Sequence, residues 1–541
     1  MRADNLAAAL SRLRDFGHEF QMENGAVDPA SKGFLTATAS IDEHLRRMGR
    51  WNSLNQIERT ARAVLGYEFD QVLYGRNPTN EPREPSLPFG FLRQLAVRLP
   101  DFPVSGFDPQ VQFTAAFELA RDVVALTGVE SYGQFWFLNA QRTDLGAWLA
   151  KATLHDHLFS QQQWTPYLTP LFLRGFFGFV HDERLRSRLG WGIADIITAV
   201  EVILENVRSS PGLISRETLQ KKLPTDTVGA LLRDFVHFSP APNEHYNSPF
   251  AARSADLMFR PLLTAILPGT FTVPSASAMG PAFYEAVATA VRTVLSPNEV
   301  KKITGEGLET ALGTLLRFRG IEPTVEGRNY AAGRTAGECD IVIEDEKTII
   351  FLECKAKPLT RAAMAGIQED AILAYLQGVV AGQAQALQHE TVLLRDGNIR
   401  FDNGYVLEMK GRDILRLSVT LHDHGTLQDR FLFSQLSAVL ATSELTGRLE
   451  DPSVRERIKK PNEILRRLRQ NLTADLGDAG DVDRVWKRAR PTASLSIGHI
   501  AAFLVERNTV SGFAEALRKP ATFATGSVLR EYHFLRTQEL L

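Results

Sequence analysis

Two short apolar runs, residues 341–343 and 348–352, flank the polar stretch Glu344-Asp345-Glu346-Lys347. Such runs on either side of a charged turn predict two antiparallel strands, a hairpin. Successive side chains of a strand point to opposite faces, so Glu353 and Lys355 share one face while Leu352, Cys354 and Ala356 share the other. Before the hairpin, Gly305-Glu306-Gly307-Leu308-Glu309 leads into Leu312, Leu315 and Leu316, a helical spacing. After it, Leu373, Leu376, Val380, Gln383 and Leu387 recur at three and four residues, one helix face interrupted by the Gln383 amide.

Elsewhere the pattern is mostly helical. Residues 5–16, 41–73, 113–207 and 283–295 carry apolar positions at helical spacing, with a proline-rich loop at 77–88 and a loop-rich join at 260–274. The aromatic clusters Phe135-Trp136-Phe137 and Phe176-Phe177-Gly178-Phe179 read as core. The expected domains are a mainly helical region over 1–290, an α/β core over 291–446 and a helical tail over 447–541, within the about three or four domains this length suggests.

Composition narrows the class. With 44% hydrophobic and 23% charged residues and a net charge of −2, the chain reads as an ordinary globular protein that does not coat nucleic acid along its whole surface. Its two cysteines, Cys339 and Cys354, both lie on the hairpin and are expected as buried thiols. The start lacks a basic-then-apolar signal pattern, and the most apolar run, 167–180, is broken by Arg174 and too short to span a bilayer. A cytoplasmic protein without membrane contact is expected. The tail is the basic end: residues 446–541 hold 17 Lys/Arg against 12 Asp/Glu, a net of +5. Arg455, Lys459, Lys460, Arg466 and Arg467 are candidates for phosphate contacts, the alternative being a solvated helix face; Arg484 to Arg490 add four more around Trp486.

The candidate chemistry sits on the hairpin. Asp340 opens one strand and Glu353 and Lys355 close the next, so three ionisable groups meet at one end of a small sheet. Two carboxylates supply hard oxygen ligands for Mg²⁺ or Mn²⁺, and an ammonium beside them can orient a water and offset charge on a phosphorus centre. A second Glu-x-Lys, Glu408-Met409-Lys410, has Asp402 only six residues before it with no hairpin between, and reads as a plain strand. The pairs His155/His157 and His422/His424 have no evident third ligand for zinc. Neither a G-x-S-x-G elbow nor a G-x-x-x-x-G-K-[ST] loop occurs.

Asp340, followed thirteen positions later by Glu353-Cys354-Lys355, resembles the D…(D/E)xK signature of the PD-(D/E)xK nuclease superfamily, with Cys339 where the family often has proline. The resemblance covers about a quarter of the chain. It implies a restriction-endonuclease-like core, a mixed sheet flanked by helices, and a metal-dependent nuclease. Asp340, Glu353 and the Cys354 backbone carbonyl would be ligands and Lys355 the group beside the attacking water. Glu309, with Glu306 as competitor, would match the helix acid that binds a second ion or a ligating water. Gln383, with Gln385 as competitor, would match a glutamine that reaches the site. DNA is expected before RNA, with a protein partner or a second copy engaged by residues 1–290, as in restriction or anti-phage effectors. The alternative is a catalytically silent module of the same fold that binds nucleic acid or scaffolds a complex.

Overall fold

The computed structural model describes residues 2–23, 26–75, 86–129, 144–207, 211–238, 242–333, 335–441, 443–446, 452–474, 487–489, 491–519 and 525–538. Most of the proline-rich stretch, the Phe135-Trp136-Phe137 cluster and Arg484, Trp486 and Arg490 lie outside them, as does the side chain of Arg455. The chain forms two compact units, residues 1–136, 147–301 and 361–367 in one, and 137–146, 302–360 and 368–541 in the other.

The first unit is mainly helical. Amphipathic helices Lys32–Met48, Arg50–Leu65, Phe89–Ala96 and Pro109–Ala125 bury Phe34, Ile41, Leu45, Ile57, Phe89 and Phe91 in a common core. Gly90 is there because of close packing: a Cβ would lie 2.5 Å from His157 O and 2.7 Å from Ser160 O. The expected loop-rich join at 260–274 is corrected. Leu262–Thr264 and Thr270–Val273 are strands of a four-stranded sheet completed by Gly212–Ser215 and Val236–His237. Thr270-Phe271-Thr272-Val273 alternates Thr with apolar residues and Leu262-Leu263-Thr264 is a short apolar run, and both form strands despite the flanking prolines.

The second unit is a mixed α/β sheet with helices. Helix α1 (Pro297–Phe318) crosses the boundary between the units and leads into strands β1 (Val325–Ala332), β2 (Thr335–Glu344) and β3 (Thr348–Lys355). Both β1 and β3 pair antiparallel with β2, so the predicted hairpin is present and gains a partner on its other side. Helix α2 (Ala381–Asp396) then carries the chain to β4 (Asp413–Thr420), parallel to β3. Beyond Thr446, helix α3 (Pro452–Leu472) leads to β5 (Thr492–Ser496), parallel to β4. The strand order is β5-β4-β3-β2-β1. The purely helical tail is thereby corrected: β5 is a short, small-residue strand, Thr-Ala-Ser-Leu-Ser, whose length and polarity hide it from pattern reading. The second Glu-x-Lys ends Val406–Glu408, which pairs with Asn398–Arg400 in a separate hairpin where Lys410 and Glu408 form an exposed ion pair.

Arg416 and Glu390 join α2 to the sheet by a buried ion pair. The same guanidinium donates to Thr492 Oγ1 (2.9 Å) and to the Arg488 carbonyl, which ties β4 to β5.

Candidate active site

Backbone pairing of β2 with β3 runs from Glu344↔Ile349 to Ile341↔Leu352, and beyond it side chains take over. The Cys354 N–H donates to Asp340 Oδ2 at 2.7 Å, and the Asp340 N–H donates to Glu353 Oε1 at 3.4 Å. Two carboxylates thus close the end of the ladder and are held within reach of each other. Lys355 Nζ donates to the Cys354 carbonyl (2.9 Å) and to Asp340 Oδ2 (3.4 Å), and lies 3.7 Å from Glu353 Oε2. The Lys355 side chain keeps 21% exposure, while Glu353 has none. Asp340, Glu353, Lys355 and the Cys354 carbonyl therefore meet.

The electrostatics are those of crowded acids. Burial raises the Asp340 carboxyl above its ordinary range, and Glu353 adds to the shift while Lys355 opposes it. Burial likewise pushes Glu353 up to about 7, against the pull of Lys355. Burial would lower the Lys355 ammonium, but Glu353 and Asp340 outweigh it and the net shift is upward. Glu309 on α1 faces the same site: burial raises its carboxyl, and Asp340 and then Glu338 raise it further. Glu306, its competitor, is exposed and pairs with Lys302. Glu338, two residues before Asp340 on β2, is an exposed acid that sequence reading passed over; the i, i+2 spacing from Asp340 is the signal that could have found it.

The Gln383 amide does not turn to this cluster. It donates to the Ala493 carbonyl (2.6 Å) between β4 and β5, and Gln385 donates to the Glu338 carbonyl. The helix after the hairpin reaches Glu353 through His389, whose Nε2 lies 2.9 Å from Glu353 Oε1 while its Nδ1 lies 2.8 Å from the Tyr330 hydroxyl. Burial drives the His389 pKa down to about 3, so the imidazole is neutral. A π turn, Leu376–Val380, joins helix Gln368–Tyr375 to α2. On α2, Gln383 and His389 are both buried; Gln383 bonds to the Ala493 carbonyl of β5 and His389 meets Glu353 of β3, so the stripe found a sheet-facing residue but not the one beside Glu353.

Cys339, Glu353 and His389 put one ligand atom each within 4.8 Å of one another. Burial raises the Cys339 thiol well above its usual pKa, so the thiolate that a zinc ion needs is disfavoured. Among the described residues neither of the two histidine pairs is part of a cluster of three metal-ligating side chains. His155 and His157 lie on helix Leu145–Phe159, with His157 Nε2 3.0 Å from the Tyr246 hydroxyl, and His424 Nδ1 bonds to the His422 carbonyl. Lys459, Lys460, Arg466 and Arg467 are exposed on α3, and the positive charge of Arg467 reaches His389.

The fold and site define a mixed α/β protein with a buried acid pair capped by a lysine. Over 105 residues the chain is 33% identical to the UPF0102 protein GSU0650 of Geobacter sulfurreducens, a stretch that makes up 19% of this chain and 73% of that protein. The chain belongs to the UPF0102 family. No family model and no solved structure matches it. Among the described residues no helix is long and apolar enough to cross a membrane.

Proposed function

We propose that the chain is a metal-dependent nuclease of the PD-(D/E)xK type, with DNA the preferred substrate. The observation that carries this reading is the convergence of Asp340, Glu353 and Lys355 at the open end of β2 and β3. A divalent cation fits the donors: Glu353 Oε2 is a buried oxygen with no hydrogen-bond partner among the described residues, and it, Asp340 Oδ2 and the Cys354 carbonyl all lie within 3.7 Å of Lys355 Nζ. Buried polar oxygens are seldom left so, and a hard cation is what this oxygen set suits. Asp340, Glu353 and the Cys354 carbonyl would hold Mg²⁺ or Mn²⁺, which supplies Lewis acidity and a more acidic water. Glu309, whose carboxyl is raised by burial and by Asp340 and Glu338, would give up its proton more readily beside a bound cation and could hold a ligating water. Lys355, with its raised pKa, stays protonated, orients the attacking water and offsets charge gathering on the phosphorus.

The test is cleavage of plasmid DNA, linear duplex, single-stranded DNA and RNA with Mg²⁺ or Mn²⁺, alongside Asp340→Ala, Lys355→Ala and EDTA. Cleavage of DNA that all three abolish is the expected result. Cleavage that survives Asp340→Ala removes this site from the reaction, and cleavage confined to RNA reassigns the substrate.

A further inference from the structure

We propose that His389, itself locked by Tyr330, is the positioning residue that fixes which oxygen of Glu353 meets the cation. The inference rests on the nuclease reading above and names how that site is set. Glu353 Oε1 accepts from two donors, the His389 imidazole at 2.9 Å and the Asp340 backbone N–H at 3.4 Å. Glu353 Oε2 accepts none among the described residues and lies 3.7 Å from Lys355 Nζ. One oxygen is tied and the other is kept open, so Glu353 binds through Oε2 alone.

The tautomer follows from the partners. A carboxylate can only accept, so Nε2 carries a hydrogen toward Glu353 Oε1, and Nδ1 shares the other hydrogen bond with the Tyr330 hydroxyl at 2.8 Å. The ring cannot easily turn out of this line. It is fully buried, meets Tyr330 edge-on at 5.4 Å and packs against Phe351 at 5.5 Å. Tyr330 comes from β1, His389 from α2 and Glu353 from β3, so three elements fix one carboxylate. Hydrogen bonds of this outer kind orient metal ligands and raise affinity.

The experiment titrates Mn²⁺ into wild type, His389→Gln, His389→Asn and Tyr330→Phe by calorimetry, with cleavage assayed in parallel. A glutamine amide can reach the Nε2 position and an asparagine cannot. His389→Asn should bind Mn²⁺ about 10 to 100-fold more weakly, Tyr330→Phe should weaken it by a smaller factor, and His389→Gln should stay near wild type. At saturating metal the cleavage rate of His389→Asn should return most of the way. If wild type binds and cleaves while His389→Asn and Tyr330→Phe bind as tightly, the positioning role is overturned and the nuclease reading stands. Equal loss in His389→Gln and His389→Asn overturns it as well, because the ring then acts only by filling space. Should His389→Asn fail to fold, Tyr330→Phe decides, since it removes one hydroxyl and keeps the ring. If wild type binds no divalent ion, the nuclease reading falls and the positioning role falls with it.

Discussion

The backbone N–H of Cys354 donates to Asp340 Oδ2 at 2.7 Å, so one acid serves as a rung of the sheet and as a member of the ionisable cluster. Asp340→Asn separates the two roles. Its side-chain carbonyl can still accept from Cys354, while its negative charge is lost. The variant should fold with a thermal midpoint close to wild type and lose about 10²-fold or more in cleavage, in line with removing one charge-stabilising group. Calorimetry with Mn²⁺ should show the matching loss of affinity. A large drop in the midpoint with unchanged metal binding would mean that the rung is the main role of Asp340.

The hairpin was legible because its two signals are local: short continuous apolar runs around a charged turn, and an acid and lysine two apart at a strand end. Helix α1 was legible for the same reason, from Leu308, Leu312, Leu315 and Leu316. What escaped depends on geometry no local window holds. Tyr330 lies on a strand whose run of exposed residues, Gly327, Arg328 and Asn329, blurs its period, and it matters only through His389, 59 residues on. Helix α2 buries both Gln383 and His389, and only the tertiary packing decides that Gln383 meets Ala493 while His389 meets Glu353. Strand β5 needed the long return from α3 to reveal itself, since parallel neighbours carry no hairpin signature.

Gly382 lets α2 approach the sheet closely. A Cβ there would lie 2.5 Å from Ser418 Oγ and 3.2 Å from the Glu353 carbonyl, and Ser418 is already committed to the Val379 carbonyl at 2.8 Å. Gly382→Ala must therefore push the helix outward, costing about 1–3 kcal/mol as overpacking does. Because His389 rides on the same helix, Mn²⁺ affinity should fall too. Denaturant unfolding beside calorimetry checks both. Wild-type stability in Gly382→Ala would show that this contact relaxes at no cost.

Acid should weaken the helical unit through His157. Burial lowers its pKa from 6.5 to about 4. The unfolded chain therefore takes up a proton between about pH 6.5 and pH 4 that the folded one refuses. The stability this residue permits is fully present above pH 6.5 and is lost as pH falls toward 4, at about 1.4 kcal/mol per pH unit for one such group. His157→Gln keeps a polar partner for the Tyr246 hydroxyl and removes the titration. Calorimetric midpoints at pH 7.0 and 5.0 should fall farther apart in wild type than in the variant. Equal differences would place the acid sensitivity elsewhere.

The basic helix α3 offers a test that depends on which face it presents. Lys460 and Arg467 are seven residues apart, two helical turns, and so share a face, as do Lys459 and Arg466 on a neighbouring one. The positive charge of Arg467 acts on His389, which makes the Lys460/Arg467 face the one to test first. If α3 guides the nucleic-acid backbone into the site, Lys460→Ala/Arg467→Ala should weaken DNA binding more than Lys459→Ala/Arg466→Ala. The loss should be greatest at low salt, with the slope of log affinity against log salt shallower by about 0.9 for each phosphate contact removed. Sequence preference should not change, because such contacts read charge and not bases. Fluorescence anisotropy with a labelled duplex across a salt series measures all three. Equal, salt-independent affinities in both double variants and wild type would leave α3 as a solvated face and move substrate contact to another surface.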